Sequence, residues 1–208
     1  MDSILINEIE EYVKNVVSVK RYEHSVRTAQ TLVLLCERYG LDKEKGYLAG
    51  IAHDMCKEIN TDLMVELAKK DGKKITLLEQ EKKSLLHGRA AAVLIEEKFG
   101  VTDVDIKEAI ANHTFGGSCL CDLGKLLFVA DKIEPERPQS TDEYRHRLFS
   151  LSLDEITYSV VLVEQKENNE YVGVGVTGGM VSRDNLYKDD ISGIIKSTTN
   201  SGSISQCN

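Results

Sequence analysis

The chain has 208 residues and a formal net charge of −8, so its surface repels phosphate backbones, which argues against a general nucleic-acid-binding protein. That charge does not exclude a small anionic ligand, because a metal and a few local basic residues reverse the field in one pocket. Hydrophobic residues make up 41% of the chain, tryptophan is absent and only two prolines occur, which predicts one aliphatic core and long helices.

The sequence predicts a cytoplasmic protein that does not bind membranes. No apolar run approaches the roughly 18 residues of a membrane span. The first residues, MDSILINEIEEYVKN, carry acids where a secretory signal carries basic residues. The five cysteines are odd in number and match no zinc pattern, which favours free thiols in a reducing compartment.

Apolar residues in the first half recur at helical spacing and predict a series of helices. These are expected at 4–18, at 22–39, after Asp42, from Asn60 or Thr61 to Gly72, near 78–86, and in LLHGRAAAVLIEEKFG up to Gly100. Gly40 and Gly100 are typical of helix C-caps, and Asp42 is typical of an N-cap.

The second half continues in the same way. Helices are expected at 103–112 and at 122–133, the latter capped by Asp122, and the PERP stretch at 135–138 breaks the pattern. Two capping-box patterns predict further helix starts, one from Ser140 to Glu143 and one from Ser152 to Glu155. No strict alternation occurs before residue 155, so the predicted fold is all-α.

The composition changes after about residue 157. Residues 158–163 read YSVVLV, which is β-branched and typical of a strand. The stretch VGVGVTGGMV is rich in glycine, and the final dozen residues have a disordered composition. We therefore predict a working domain at 1–156 and an irregular, partly disordered C-terminal extension at 157–208.

Several polar residues lie beside apolar stripes and are candidates for one site. They are His24, His53, His87, His113, Asp54 and Asp131. A single histidine near a core face is more often a hydrogen-bonded core residue than a ligand. An unpaired buried carboxylate is costly, however, and one metal compensates both aspartates at once. A shared metal site is therefore the simpler hypothesis. The fifth histidine, His146, lies in a charged stretch and is expected on the surface.

The chemistry of this set fits a catalytic divalent metal. Imidazole and carboxylate suit iron, manganese or zinc, and the lack of a thiolate disfavours structural zinc. Such a metal activates water as a nucleophile near neutral pH. Arg21, Lys57 and Arg137 lie close in sequence to the candidates. Each alone is more often a solvated charge, but together they favour a phosphate-binding site.

The ordered set of His24, the pair His53–Asp54, and Asp131 resembles the HD-domain phosphohydrolase superfamily. The segments RYEHSVRTA, LAGIAHDMCKEI, LLHGRAAA, AIANHTFG and LFVADKIEPERP, within 21–138, narrow the match. They resemble successive signatures of the YqeK-type symmetrical bis(5'-nucleosyl)-tetraphosphatases, which hydrolyse diadenosine tetraphosphate. The resemblance thins beyond about residue 156.

The resemblance implies an HD-domain helical bundle in which iron is bound by His24, His53, Asp54 and Asp131. His87 and His113 would lie at the phosphates or complete a second metal position, and either would serve as the general acid. Lys57 would stabilise developing charge. The implied phosphate-binding set is Arg21, His24, Asp54, Lys57, His87, His113, Asp131 and Arg137.

The resemblance also implies a reaction and partners. A dinucleoside polyphosphate would be cleaved at its centre to two ADP, with ADP or GDP as a product-like ligand, by a bacterial cytoplasmic homodimer. Two alternatives stay open. One is an HD-type phosphohydrolase of other specificity, namely a nucleotidase, a deoxynucleoside triphosphatase or an alarmone hydrolase. The other is a non-catalytic nucleotide sensor, against which the complete ligand set argues.

Overall fold

The computed structural model describes residues 3–115 and 120–168, with side chains described to residue 160. Within these ranges the chain is helical and contains no strand, which confirms the predicted all-α fold. The α-helices are α1 (Ser3–Val16), α2 (Val19–Tyr39), α3 (Lys43–Ala52), α4 (Thr61–Lys69), α5 (Leu77–Glu81), α6 (His87–Phe99), α7 (Val104–Asn112), α8 (Asp122–Ile133), α9 (Asp142–Leu148) and α10 (Leu153–Asn168), with a 3₁₀ turn at Lys83–Leu86.

Most predicted helix ends are confirmed. Asp42 accepts hydrogen bonds from the backbone of the first turn of α3, and Asn60 does the same for α4. Gly40 and Gly100 end α2 and α6 with left-handed backbones. Helix α4 ends at Lys69, short of the predicted Gly72.

Two predicted caps are wrong by one residue. The Sγ of Cys121 accepts from Gly124 N, so Cys121 caps α8 and Asp122 is the first helical residue. Thr141 caps α9 in place of Ser140, because the Ser140 hydroxyl instead donates to the carbonyl of Ile133, the last residue of α8. The capping box between Ser152 and Glu155 is present.

The strand-like run YSVVLV is helical, so that prediction is wrong. These residues lie in α10, which packs against α8. Ile156 and Val160 are one turn apart and both are buried, so tertiary packing overrides β-branched propensity. Residues 169–208, with the expected irregular segment, lie outside the described residues, and the division at residue 156 stays a prediction.

The core is aliphatic and lies between α2, α3, α6, α7 and α8. Helix α2 packs against both α3 and α8, while α7 contacts α3, α6 and α8. Leu32, Ile51, Ile110 and Leu126 are completely buried in this core. No helix in the described part of the chain is long and apolar enough to cross a bilayer.

Candidate metal centre

The six candidate residues converge from five helices. His24 and Asp131 project from within α2 and α8, whereas His53 and His113 are the C-cap residues of α3 and α7. His87 opens α6, and all these side chains are buried. His146 is exposed on α9, as expected.

Two glycines allow the histidines to approach one another. A Cβ at Gly50 would lie 2.4 Å from the Ala29 Cα, so α3 crosses α2 at backbone contact, one turn from His53. A Cβ at Gly88 would lie 2.8 Å from the Ile110 carbonyl oxygen and 3.1 Å from His113 Nδ1. Both positions therefore require the absence of a side chain.

Three imidazoles are oriented by one repeated local contact, in which the ring Nδ1 faces the carbonyl three residues earlier. These contacts, each of 2.7 Å, join His53 to Gly50, His87 to Ser84, and His113 to Ile110. A carbonyl oxygen only accepts, so Nδ1 carries the proton in each ring. The Nε2 lone pairs are therefore available to a metal.

His24 adopts the same tautomer, with its proton on Nδ1, but a carboxylate side chain accepts that hydrogen bond in place of a backbone carbonyl. Its Nδ1 lies 3.1 Å from Glu134 Oε1, which accepts the hydrogen bond. Arg27 Nε donates to the other oxygen of Glu134 at 2.6 Å. Burial raises the pKa of Glu134, but His24 and Arg27 outweigh it and lower that pKa to about 2. A carboxylate behind a histidine ligand is a frequent arrangement at metal sites.

The Nε2 atoms face carboxylate oxygens. His24 Nε2 lies 3.0 Å from Asp131 Oδ1, and His53 Nε2 lies 3.6 Å from Asp54 Oδ2. His24 Nε2, His53 Nε2 and Asp54 Oδ1 are buried without a hydrogen-bond partner among the described residues. Lone pairs directed at carboxylates repel one another unless a cation lies between them, so this set of atoms fits a metal.

A second cluster shares Asp54. His87 Nε2 lies 3.0 Å from Asp54 Oδ1 and 3.0 Å from His113 Nε2. Thr114 Oγ1 lies 3.3 Å from His87 Nε2. Two sets of three ligand atoms each lie within 4.8 Å of one another, one from His24, His53 and Asp131, the other from His53, Asp54 and His113.

Burial favours the neutral form of two of the imidazoles, those of His53 and His87. It lowers the pKa of His53 to about 3 and also lowers that of His87. For His24, burial is outweighed by Asp131 and Glu134, so its pKa is raised. A metal bound between His24 and Asp131 would replace that proton.

The predicted basic residues all reach the centre. Arg21 Nη1 lies 2.8 Å from Asp54 Oδ2, and Arg137 Nη2 lies 2.6 Å from Asp131 Oδ1. Lys57 Nζ lies 3.2 Å from the Nε2 of His87. The structure therefore brings together every residue that the sequence singled out.

Sequence reasoning missed four contributors. Lys132 Nζ lies 2.7 Å from Asp131 Oδ2, Glu134 and Arg27 hold His24, and Thr114 follows His113. Helical spacing could have found two of them, because Arg27 lies one turn after His24 and Glu134 one turn after Asp131.

Comparison with known proteins identifies the family. A model of the HD domain matches residues 21–136, more than half of the chain. The symmetrical bis(5'-nucleosyl)-tetraphosphatase of Staphylococcus aureus is 35% identical over 143 residues, 68% of this chain and 73% of that protein. The chain belongs to the HD domain family, among the symmetrical bis(5'-nucleosyl)-tetraphosphatases.

Two further likenesses agree with this. The protein of the same name from Bacillus subtilis is 35% identical over 134 residues, which cover 64% of this chain and 72% of that protein. A crystal structure of a predicted HD superfamily hydrolase involved in NAD metabolism from Clostridium acetobutylicum superposes with a TM-score of 0.71. It is 26% identical, and the match covers 86% of this chain and 95% of the other.

The family predicted from the sequence is thereby confirmed, and with it the requirement for a divalent metal. The HD dipeptide of the family is His53–Asp54 here. Both of its residues belong to the candidate ligand groups.

Proposed function

We propose that this HD-domain protein hydrolyses diadenosine tetraphosphate symmetrically, giving two molecules of ADP. One observation carries the proposal. The Nε2 atoms of the buried histidines cluster with the carboxylates of Asp54 and Asp131. Arg21, Lys57 and Arg137 each contact a member of that cluster. Candidate metal ligands and candidate phosphate-binding cations thus share one centre, which supports phosphoanhydride hydrolysis. The names of the relatives supply the substrate.

We assign the metal to His24, His53, Asp54 and Asp131, and a second metal position to Asp54 with His87 and His113. When bound, a divalent metal supplies Lewis acidity and activates water near neutral pH. Iron is our proposed metal by family resemblance, and the nitrogen and oxygen ligands also accept manganese or zinc.

The three basic residues would bind the phosphate chain. Arg21 and Arg137 now face Asp54 and Asp131, and a cation on those carboxylates would free both guanidinium groups for phosphate oxygens. Guanidinium binds phosphate in a bidentate manner, which fixes the orientation of the chain at the centre.

Lys57 is the group best placed to act on the departing ADP. Burial lowers its pKa, and its Nζ lies 3.2 Å from the Nε2 of His87, whose own pKa burial also lowers. The lysine would stabilise the charge that develops on the leaving phosphate oxygen. If the second metal position is empty, His87 or His113 with a further proton on Nε2 would donate a hydrogen bond to that oxygen, and the choice between them stays open.

We further propose a cytoplasmic homodimer. Cys36 and Cys56 are free and buried, and burial raises their pKa values to about 11 and about 12, which keeps both thiols protonated. Inert free thiols are typical of proteins from a reducing compartment. The dimer rests on family resemblance alone.

The test is an anaerobic incubation with ferrous iron and diadenosine tetraphosphate, followed by chromatography of the nucleotides. Wild-type protein should give ADP as the sole product, and Asp54→Asn should give none. Asp62→Asn, an exposed change in α4, is the matched control and should remain active.

Other products separate the alternatives. Appearance of ATP with AMP would refute symmetrical cleavage while keeping a hydrolytic centre. Faster cleavage of a nucleoside monophosphate, a deoxynucleoside triphosphate or a guanosine alarmone would favour another HD-type specificity. Binding of iron and nucleotide without any cleavage would favour the sensor.

A further inference from the structure

A cavity of about 600 Å³ is lined by lysines and contains none of the metal-centre residues. Four of its lining residues are Lys69, Lys73, Lys74 and Lys83. All four are exposed, so their ammonium groups are accessible to a ligand. The whole chain carries a net charge of −8, so the positive charge of this cavity opposes the charge of the surface around it.

The local carboxylates do not neutralise these lysines. Residues 69–83 read KKDGKKITLLEQEKK, with six lysines and three acids. Two of those acids are engaged by Arg89, which donates to Asp71 at 2.7 and 2.8 Å and, at 2.9 Å, to Glu79, itself a lining residue of the cavity. None of the four cavity lysines forms a salt bridge with a carboxylate in the described ranges.

The cavity also has an apolar wall. Val65 and Ile75 line it and are partly exposed, whereas Leu86, which also lines it, is completely buried and presents little surface to a ligand. An inorganic anion needs only the lysines, whereas an apolar wall beside cations fits a base or ribose joined to phosphates. A volume of about 600 Å³ lies within the range of small-molecule sites.

The cavity lies next to the metal centre along the chain. Lys83 opens the 3₁₀ turn that ends at Leu86, and His87 follows at once. A 3₁₀ turn rises by about 2 Å per residue, so about 8 Å along the turn separate Lys83 from His87. A nucleotide extending from the centre spans such a distance.

We infer that this cavity binds a nucleoside diphosphate group, with the phosphates on the lysines and the nucleoside against the apolar wall. Two different molecules contain such a nucleoside diphosphate group. One is the second half of the dinucleotide, which rests on the function proposed above. The other is a separate nucleotide that binds whether or not the chain cleaves the dinucleotide.

The first measurement counts ADP bound to the full-length, metal-loaded chain by equilibrium dialysis. Wild-type protein should bind two ADP per chain, one at the metal centre and one in the cavity. Lys73→Ala/Lys74→Ala should weaken one of the two sites by about tenfold or more. The matched control, Lys43→Ala/Lys70→Ala, removes two lysines that pair with Glu37 and Glu97 outside the cavity, and should still bind two.

A single ADP per wild-type chain that Lys73→Ala/Lys74→Ala leaves in place would overturn the inference, and so would two unchanged sites in that variant. A single ADP that is lost in the variant would support the cavity and count against ADP binding at the metal centre. Circular dichroism checks that the variants are folded. The number of ADP molecules bound per chain does not depend on cleavage. A chain that binds two ADP but cleaves no dinucleotide would therefore refute the proposed function without refuting the inference about the cavity.

The second measurement distinguishes the sources by the kinetics of diadenosine tetraphosphate hydrolysis. If the cavity holds the second half of the substrate, Lys73→Ala/Lys74→Ala should raise KM by about tenfold at unchanged kcat. If it holds a separate nucleotide, KM should stay unchanged although one ADP site is lost.

Discussion

Glu134 accepts a hydrogen bond from Nδ1 of His24 across 3.1 Å, although 110 residues separate them in the chain. The contact fixes the tautomer in which His24 Nε2 faces Asp131. The carboxylate is itself held by Arg27 at 2.6 Å. Glu134 therefore positions a metal ligand without lying at the metal position itself.

We expect Glu134→Gln to lower the metal affinity by about tenfold or more, because the amide accepts a weaker hydrogen bond from the ring. Metal titration of the purified variant measures this, with circular dichroism as the check on folding. Glu136→Gln, an exposed change two residues on, is the control. Equal losses in both variants would contradict a specific role for Glu134.

We expect Lys57→Met to lower kcat by about a hundredfold, because a cation beside His87 is lost from the place where charge develops. Affinity at the first metal position should not fall, since Lys57 contacts the ring of His87 and none of the proposed ligands of that position. Steady-state kinetics and metal titration measure the two quantities. Lys70→Met, an exposed change, is the control, and a kcat within a few-fold of wild type in Lys57→Met would refute the role.

We expect Gly88→Ala to destabilise the fold by about 1–3 kcal/mol and to lower kcat, because the new Cβ meets the Ile110 carbonyl and the Nδ1 of His113. Chemical denaturation and kinetics measure both effects. In Gly124→Ala the Cβ would meet only ordinary contacts at 3.5 Å or more, so this control should be neutral or slightly stabilising. An active and stable Gly88→Ala would show that the close approach is not needed.

The ion pairs of Arg89 predict a pH dependence of stability. Burial raises the pKa values of Asp71 and Glu79, but hydrogen bonds from Arg89 and from backbone N–H groups outweigh it and lower both. A carboxyl whose pKa falls on folding stabilises the fold above its unfolded pKa of about 4, and this contribution is lost as pH falls below that value.

We therefore expect Arg89→Met to cost about 3 kcal/mol at neutral pH, because two largely buried carboxylates lose their cation. The difference from wild type should shrink as pH falls through about 4. Thermal unfolding at a series of pH values measures it, with the exposed Arg38→Met as control. A difference that stays constant down to about pH 3 would contradict the ionic origin.

The sequence by itself determined the helices and the family. Apolar residues at helical spacing predicted the α-helices, and local chemistry at Asp42 and Gly40 set their ends, because capping depends only on adjacent residues. The order of His24, His53–Asp54 and Asp131 was sufficient to name the HD domain, since the residue types and their order are visible without coordinates.

Only the tertiary structure decided which atoms meet. The strand-like run after residue 157 lies in α10, in which Ile156 and Val160 are buried and which packs against α8. Local propensity gives no information about this tertiary contact. Glu134 contacts His24, and Arg89 pairs with Asp71 and Glu79 at the lysine-lined cavity, through contacts between separate helices and loops. Side-chain direction at a helix end depends on which carbonyl and which neighbouring helix it meets, and that information exists only once the chain is packed.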